Sequence, residues 1–159
     1  MDTQRRRFLK SSLVTGLLGW TAGAGLLIPR WVWAAWPSSA FQSKTLFGAL
    51  EPLFGNGSVN LTPADEDITL TVTDIAENGA VVPVTVSTRL PNVESITLLV
   101  DKNPNSLVAQ FKLGKNTQAY IKTNIKMAET SKLHAVVKSG DKLYSTNKKV
   151  KVTLNGCGN

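Results

Sequence analysis

From Asp67 onward the chain alternates apolar and polar residues with period two, in short runs cut apart by turn residues. The runs are DITLTV, VVPVTVS, VESITLLV, LVAQFKL, QAYIKTNIK, KLHAVVKS and KLYSTNKKVKVTL. Between them stand ENGA, LPN, DKNPNS, GKNT, MAETS and SGD, each rich in Gly, Pro, Asn, Asp or Ser. In an extended backbone, period two sends successive side chains to opposite faces. Ile121, Thr123 and Ile125 therefore take one face while Tyr120, Lys122 and Asn124 take the other. Val150, Val152 and Leu154 alternate with Lys149, Lys151 and Thr153 in the same way. About seven such strands in one domain predict an all-β chain, an immunoglobulin-like β-sandwich. Pro83 has no N–H to give a ladder, so its strand is expected at a sheet edge or at a bulge.

Ahead of the strands, SSAFQSKTLFGALEPLFGNG changes period. Phe41, Leu46, Leu50 and Phe54 fall at mixed helical spacings, Ser38 or Ser39 offers an N-cap, and Gly55-Asn56-Gly57 a stop. One amphipathic N-terminal helix is expected here, with Pro52 near its end. No internal repeat or low-complexity linker divides the chain after this point, which is consistent with a single domain.

The first residues read as an address rather than as structure. Arg5, Arg6 and Arg7 open a basic region, and RRRFLK fits the twin-arginine pattern. Leu13 to Ile28 is an apolar run broken by Gly16, Gly19, Gly23 and Gly25, too short and too interrupted for a membrane span. VWAA supplies small residues for a signal peptidase, with cleavage expected after Ala34. The expected organisation is a signal peptide over 1–34, a helix and sandwich domain over 35–154, and a flexible arm over 155–159.

Charge has to be read after that division. The whole chain carries a formal net charge of +7. Without Arg5, Arg6, Arg7, Lys10, Arg30 and Asp2, 13 basic and 10 acidic residues remain, a net charge of +3. So small an excess on a domain reads as a solvated surface, and no nucleic-acid partner is expected. Trp20, Trp31, Trp33 and Trp36 all lie in or beside the signal, which leaves no aromatic platform for bases or sugars.

Few residues remain for chemistry. His134, the sole histidine, falls opposite Leu133, Ala135 and Val137 in its run and is expected at the surface. Asp65, Glu66 and Asp67 lack the spacing of a calcium loop and read as solvated. With one histidine and one cysteine, zinc, copper and haem sites lack ligands, and no metal or cofactor is expected.

That cysteine is Cys157, third from the C-terminus between Gly156 and Gly158. Export leads to an oxidising compartment, where a lone thiol pairs with another molecule or stays reactive. The glycines give a thin, freely turning backbone that threads narrow channels and fixes nothing in place. The terminal carboxylate two residues away disfavours a thiolate, so the thiol is a poor nucleophile until another protein activates it. These residues therefore predict a carrier rather than an enzyme. The competing reading is a secreted β-sandwich structural or interaction module with Cys157 in an intermolecular disulfide. A thiol oxidoreductase is weaker still, because there is no Cys-x-x-Cys and no resolving cysteine.

The twin-arginine signal, the phrase IAENGAVVPVTV at Ile75 to Val86, and the glycine-flanked terminal cysteine together resemble the SoxY family, sulfur-carrier subunits of the periplasmic Sox thiosulfate-oxidation system. The resemblance covers essentially the whole mature chain. It implies an immunoglobulin-like sandwich paired with a SoxZ-like subunit in a heterodimer, with Cys157 as the covalent attachment point for thiosulfate-derived sulfur. It also implies transient docking to a c-type cytochrome complex, to a sulfate-releasing hydrolase and to a sulfur dehydrogenase. Apart from the resemblance, no membrane anchor is expected after signal cleavage, and the lone thiol allows Cys157-linked homodimers. Gly156 and Gly158 match the inner glycines of the family's Gly-Gly-Cys-Gly-Gly ending, while Asn155 and Asn159 replace the outer two. Nothing in the mature sequence reads as a cofactor site that must be filled in the cytoplasm. The twin-arginine route is therefore expected to carry out a signal-less partner as a folded complex.

Overall fold

The computed structural model describes residues 37–55 and 60–153, which belong to one compact unit. The expected signal peptide over 1–34 and the arm residues Asn155, Gly156, Cys157, Gly158 and Asn159 lie outside the described residues. In chain order the elements are α1 (Ser38–Gln42), α2 (Leu46–Phe54), β1 (Leu61–Pro63), β2 (Ile68–Val72), β3 (Ile75–Ala76), β4 (Val82–Thr88), β5 (Val93–Val100), β6 (Leu107–Lys112), β7 (Tyr120–Ile125), β8 (Ser131–Ser139) and β9 (Lys142–Val152). Each of the seven alternating runs became a strand. Period-two burial holds along β7, where Ile121 and Ile125 are buried and Tyr120, Lys122 and Asn124 are exposed.

The strands form two sheets, a larger one in the order β1-β9-β8-β5-β6 with β3 also on β9, and a smaller one in the order β2-β4-β7. Between them lies the main core, to which the small sheet gives Ile68, Val72, Val82, Val84, Val86, Ile121 and Ile125. The large sheet answers with Ile96, Leu98, Val100, Leu133, Ala135, Val137 and Val150. This is the expected all-β sandwich, closed by apolar area worth roughly 1.5–3 kcal/mol for each fully buried aliphatic side chain.

The large sheet is covered on its other face as well, by the N-terminal helices. Ala40, Ala49 and Leu50 pack on Leu99, Leu107, Val136 and Leu143 to form a second core. This explains why β5 is buried without alternation from Ser95 to Val100, since a strand with core on both sides reads as a continuous apolar run.

Four local expectations are corrected. The single N-terminal helix is two helices, separated at Ser43, whose backbone is extended. Ser43 Oγ accepts from the Thr45 N–H at 3.2 Å, and Thr45 Oγ1 accepts from the Gly48 N–H at 3.2 Å. These hydroxyls compete with the helix ladder for backbone donors and restart the helix at a new cap. Neither Ser38 nor Ser39 is the first N-cap, a position held by Pro37 without a side-chain hydrogen bond. Gly55 does end α2, at a φ of 68° that favours glycine.

Pro83 lies in neither an edge strand nor a bulge, for β4 is the central strand of the small sheet and pairs in unbroken register with β7 from Val82 to Ser87. Pairing with β2 stops at Val84, so at Pro83 only β7 stands alongside and the open side of β4 requires no donor. His134, finally, is not a free surface residue. Its side chain is 18% exposed, and Nε2 lies 2.9 Å from Asp101 Oδ1, out of line for a directed hydrogen bond. The helices that bury the neighbouring Val136 make that face of β8 a partly covered one.

Candidate functional site: the root of the C-terminal arm

The last described residue, Thr153, directly follows β9, the longest strand at 11 residues. β9 is held on both edges. Along one edge β8 pairs with it antiparallel from Lys142 to Val150. Along the other, β1 pairs parallel over Leu143–Ser145, and β3 takes over at Lys151 and Val152.

Hydrogen bonds continue this grip to the last described residue. The Lys151 N–H donates to the Asp74 carbonyl at 2.9 Å, and the Thr153 N–H donates to the Ala76 carbonyl at 3.0 Å. Across the strand, Thr130 Oγ1 accepts from the Val152 N–H at 3.0 Å and donates to the Val152 carbonyl at 3.3 Å. Lys148 Nζ lies 3.0 Å from Asp74 Oδ1 and donates to the Val72 carbonyl at 3.0 Å. A strand with its final amides fixed on both sides has no slack to give, so any reach past Thr153 comes from the residues that follow. From Thr153 to Cys157 is four residues, at most about 13–14 Å of extended chain.

The segment IAENGAVVPVTV has a physical task here. Ile75 and Ala76 are β3, the clamp on the end of β9. Asn78 turns the chain by accepting from the Ala80 N–H at 2.8 Å through Oδ1. Gly79 then passes so close to Val152 that a Cβ on it would stand 2.9 Å from Val152 Cγ1. Val82, Val84 and Val86 finish the segment inside the core. Sequence reasoning marked this phrase but missed β3, Gly79 and Thr130 as supports of the end of β9. Two residues are too few to show a period, and the available signal was the Asn-Gly pair.

Other residues singled out from the sequence do not gather at this root. Asp65 Oδ1 accepts from Thr146 Oγ1 at 2.6 Å in the middle of β9, a structural contact that ties the β1–β2 loop down. Among the described residues no group of three or more His, Cys, Asp or Glu side chains is placed to hold a metal ion. Among them, too, no helix is long and apolar enough to cross a membrane.

Comparison with known proteins gives three results. The family described as "Sulfur oxidation protein SoxY" matches residues 52–157, a span that ends on Cys157. A solved structure of the sulfur carrier protein SoxY from Chlorobium limicola f thiosulfatophilum is 34% identical, with a TM-score of 0.57, covering 67% of this chain and 94% of that one. A superoxide reductase (neelaredoxin) from Ignicoccus hospitalis is 14% identical, with a TM-score of 0.51 over 58% of this chain and 95% of that one, a likeness of fold alone. No match was found among curated proteins.

Proposed function

The chain belongs to the SoxY family of sulfur oxidation proteins, and from that premise we propose that it is a covalent sulfur carrier whose attachment point is the Cys157 thiol. Residues 155–159 act as the arm that presents the cargo, and partner enzymes supply the catalysis. In the loading step the Cys157 sulfur and the outer sulfur of thiosulfate join in an S–S bond, and the two electrons released pass to a c-type cytochrome complex. Water then splits the sulfur–sulfonate bond in a hydrolase, releasing sulfate and protons and leaving a persulfide on Cys157. A sulfur dehydrogenase acts on that sulfane sulfur. The protein works in the periplasm, reached through the twin-arginine route after cleavage behind Ala34, as a heterodimer with a SoxZ-like subunit that it carries out in folded form.

The observation that carries this reading is the grip on β9. The Thr130, Asp74 and Ala76 hydrogen bonds hold the strand through Thr153, and the family match runs on to Cys157. A firmly held root followed by Asn155, Gly156, Gly158 and Asn159 suits a thiol that must enter several different pockets, because the domain stays rigid while the thin tip adapts. A catalytic cysteine needs the reverse, a base or cation fixed beside the sulfur.

The test is intact mass spectrometry of the mature protein from its native periplasm, isolated without reductant and measured again after a thiol reductant. Reductant-labile additions on Cys157 equal to sulfur atoms or a thiosulfate unit are expected, with a small partner subunit co-purifying. A bare thiol or a disulfide homodimer alone, in cells actively oxidising thiosulfate, would instead identify a structural module.

A further inference from the structure

Beyond the helix-covered half of the large sheet, the same outer face carries a charged cavity of about 380 Å³. Asp101, Lys102, Glu129, Thr130, Lys132 and Lys149 line it. Lys132 and Lys149 are direct cross-strand partners in the β8–β9 register, so their side chains rise side by side from one face. Like charges directly opposite across a ladder are destabilising. Of the two carboxylates in the lining, Glu129 is paired with Lys102 at 3.3 Å, and neither Glu129 nor Asp101 forms an ion pair with Lys132 or Lys149. Among the described residues neither Lys132 nor Lys149 makes an ion pair.

The cavity also adjoins the end of β9. Thr130 in its wall is the residue whose hydroxyl holds both backbone groups of Val152, one residue before Thr153. Cys157 follows Thr153 by at most about 13–14 Å of chain, and Lys149 precedes Thr153 by four residues at the end of the same strand.

We propose that Lys132 and Lys149 form a binding site for a small sulfur oxyanion, with the negative sulfonate end of a Cys157-linked intermediate or a free thiosulfate or sulfate ion as its ligand. The paired ammonium groups supply the positive field, and the Thr130 and Ser131 segment closes one side of the cavity. In the linked form the site holds the charged cargo against the domain between visits to partners. That use rests on the carrier reading, whereas the anion site itself does not.

Amide NMR spectra of the isotope-labelled mature protein test this. Thiosulfate and sulfate are titrated in one arm, with sodium chloride at matched ionic strength as the control. In the other arm Cys157 is loaded with tetrathionate. The thiolate attacks an inner sulfur, the central S–S bond breaks and thiosulfate leaves, so the cysteine gains –S–SO₃⁻ without a further oxidant. Saturable shifts at Ser131, Lys132 and Lys149 are expected with the sulfur oxyanions and not with chloride. Lys132→Gln and Lys149→Gln should each weaken binding about threefold, and the double variant about tenfold.

Shifts of the same amides in the loaded protein without added anion identify the arm as the source. Shifts with free ions alone identify a solution anion. No shift in either arm, an equal response to chloride, or shifts that survive in the double variant would overturn the proposal. The titration with free ions does not involve Cys157, so silence there counts against the lysine site. The native mass spectrum decides the carrier reading separately.

Discussion

Gly79 lies flat against Val152: a methyl group placed on it would stand 2.9 Å from Val152 Cγ1 and closer still to the Met127 carbonyl oxygen. Met127 in turn donates its N–H to the Gly79 carbonyl at 2.8 Å. Backbone is thus on one side and the end of β9 on the other, and neither yields cheaply. Gly79→Ala is expected to cost about 1–3 kcal/mol through overpacking. That corresponds to a fall of roughly 3–12 °C in the thermal midpoint, read by calorimetry. Gly114→Ala is the control, because its added Cβ would meet only Thr117 Oγ1 at 3.4 Å, and its midpoint should hardly move.

Thr130→Val keeps the shape of the side chain and removes the hydroxyl that serves both backbone groups of Val152. The Val152 N–H then loses its partner at a half-buried position, a cost of about 1–2 kcal/mol. Because the loss is at the end of β9, local opening should report it. Hydrogen exchange at Val152 is expected to quicken about tenfold while Val136, in the centre of β8, exchanges as before. An unchanged rate at Val152 would mean that Thr130 does not hold the end of β9.

Seven of the nine strands among the described residues, β2 and β4 to β9, were legible because each is a run of five or more strand-forming residues between turn signals. β5 was legible by composition although its burial does not alternate. Its second buried face depends on helices far away in sequence, and for the same reason His134 read as a surface residue. β1 and β3 were not legible. They are parallel additions to β9 of three and two residues, and their partners lie some 80 residues on, where no local pattern reports them. Pro83 misled because the rule against proline in a central strand assumes a neighbour on both sides, and β2 stops one residue short of it. Cys157 stands out in the sequence as its only thiol and lies outside the described residues, whereas the contacts that hold the end of β9 were not legible, since Gly79, Thr130 and Asp74 meet backbone or side chains far away in sequence.

The break between α1 and α2 gives a prediction of its own. Thr45 caps α2 through the Gly48 N–H, and Ser43 ties the break to the β5–β6 loop by accepting from the Ser106 N–H at 2.8 Å. Thr45→Ala should cost about 1 kcal/mol, and Thr45→Ser much less, since the serine hydroxyl can cap in the same place. Urea unfolding should show a lower midpoint with an unchanged slope for the alanine variant, because the loss is a single hydrogen bond and not a loosened domain. Equal midpoints for the two variants would locate the break elsewhere.

If Cys157 is a carrier whose activation comes from its partners, the isolated protein should do nothing to its thiol. The residues beside it in sequence, Gly156 and Gly158, carry no charge and no base. Neutral iodoacetamide avoids any attraction to Lys132 and Lys149 and reads thiolate availability directly. The alkylation rate of the mature protein is expected to equal that of a hexapeptide of residues 154–159 within about threefold, a difference of under about 0.7 kcal/mol in activation free energy. Acceleration should appear only when a sulfur-oxidising partner is added. A rate tenfold or more above the peptide's in the isolated protein would place an activating group on this chain itself, and Cys157 would then have to be regarded as a nucleophile in its own right.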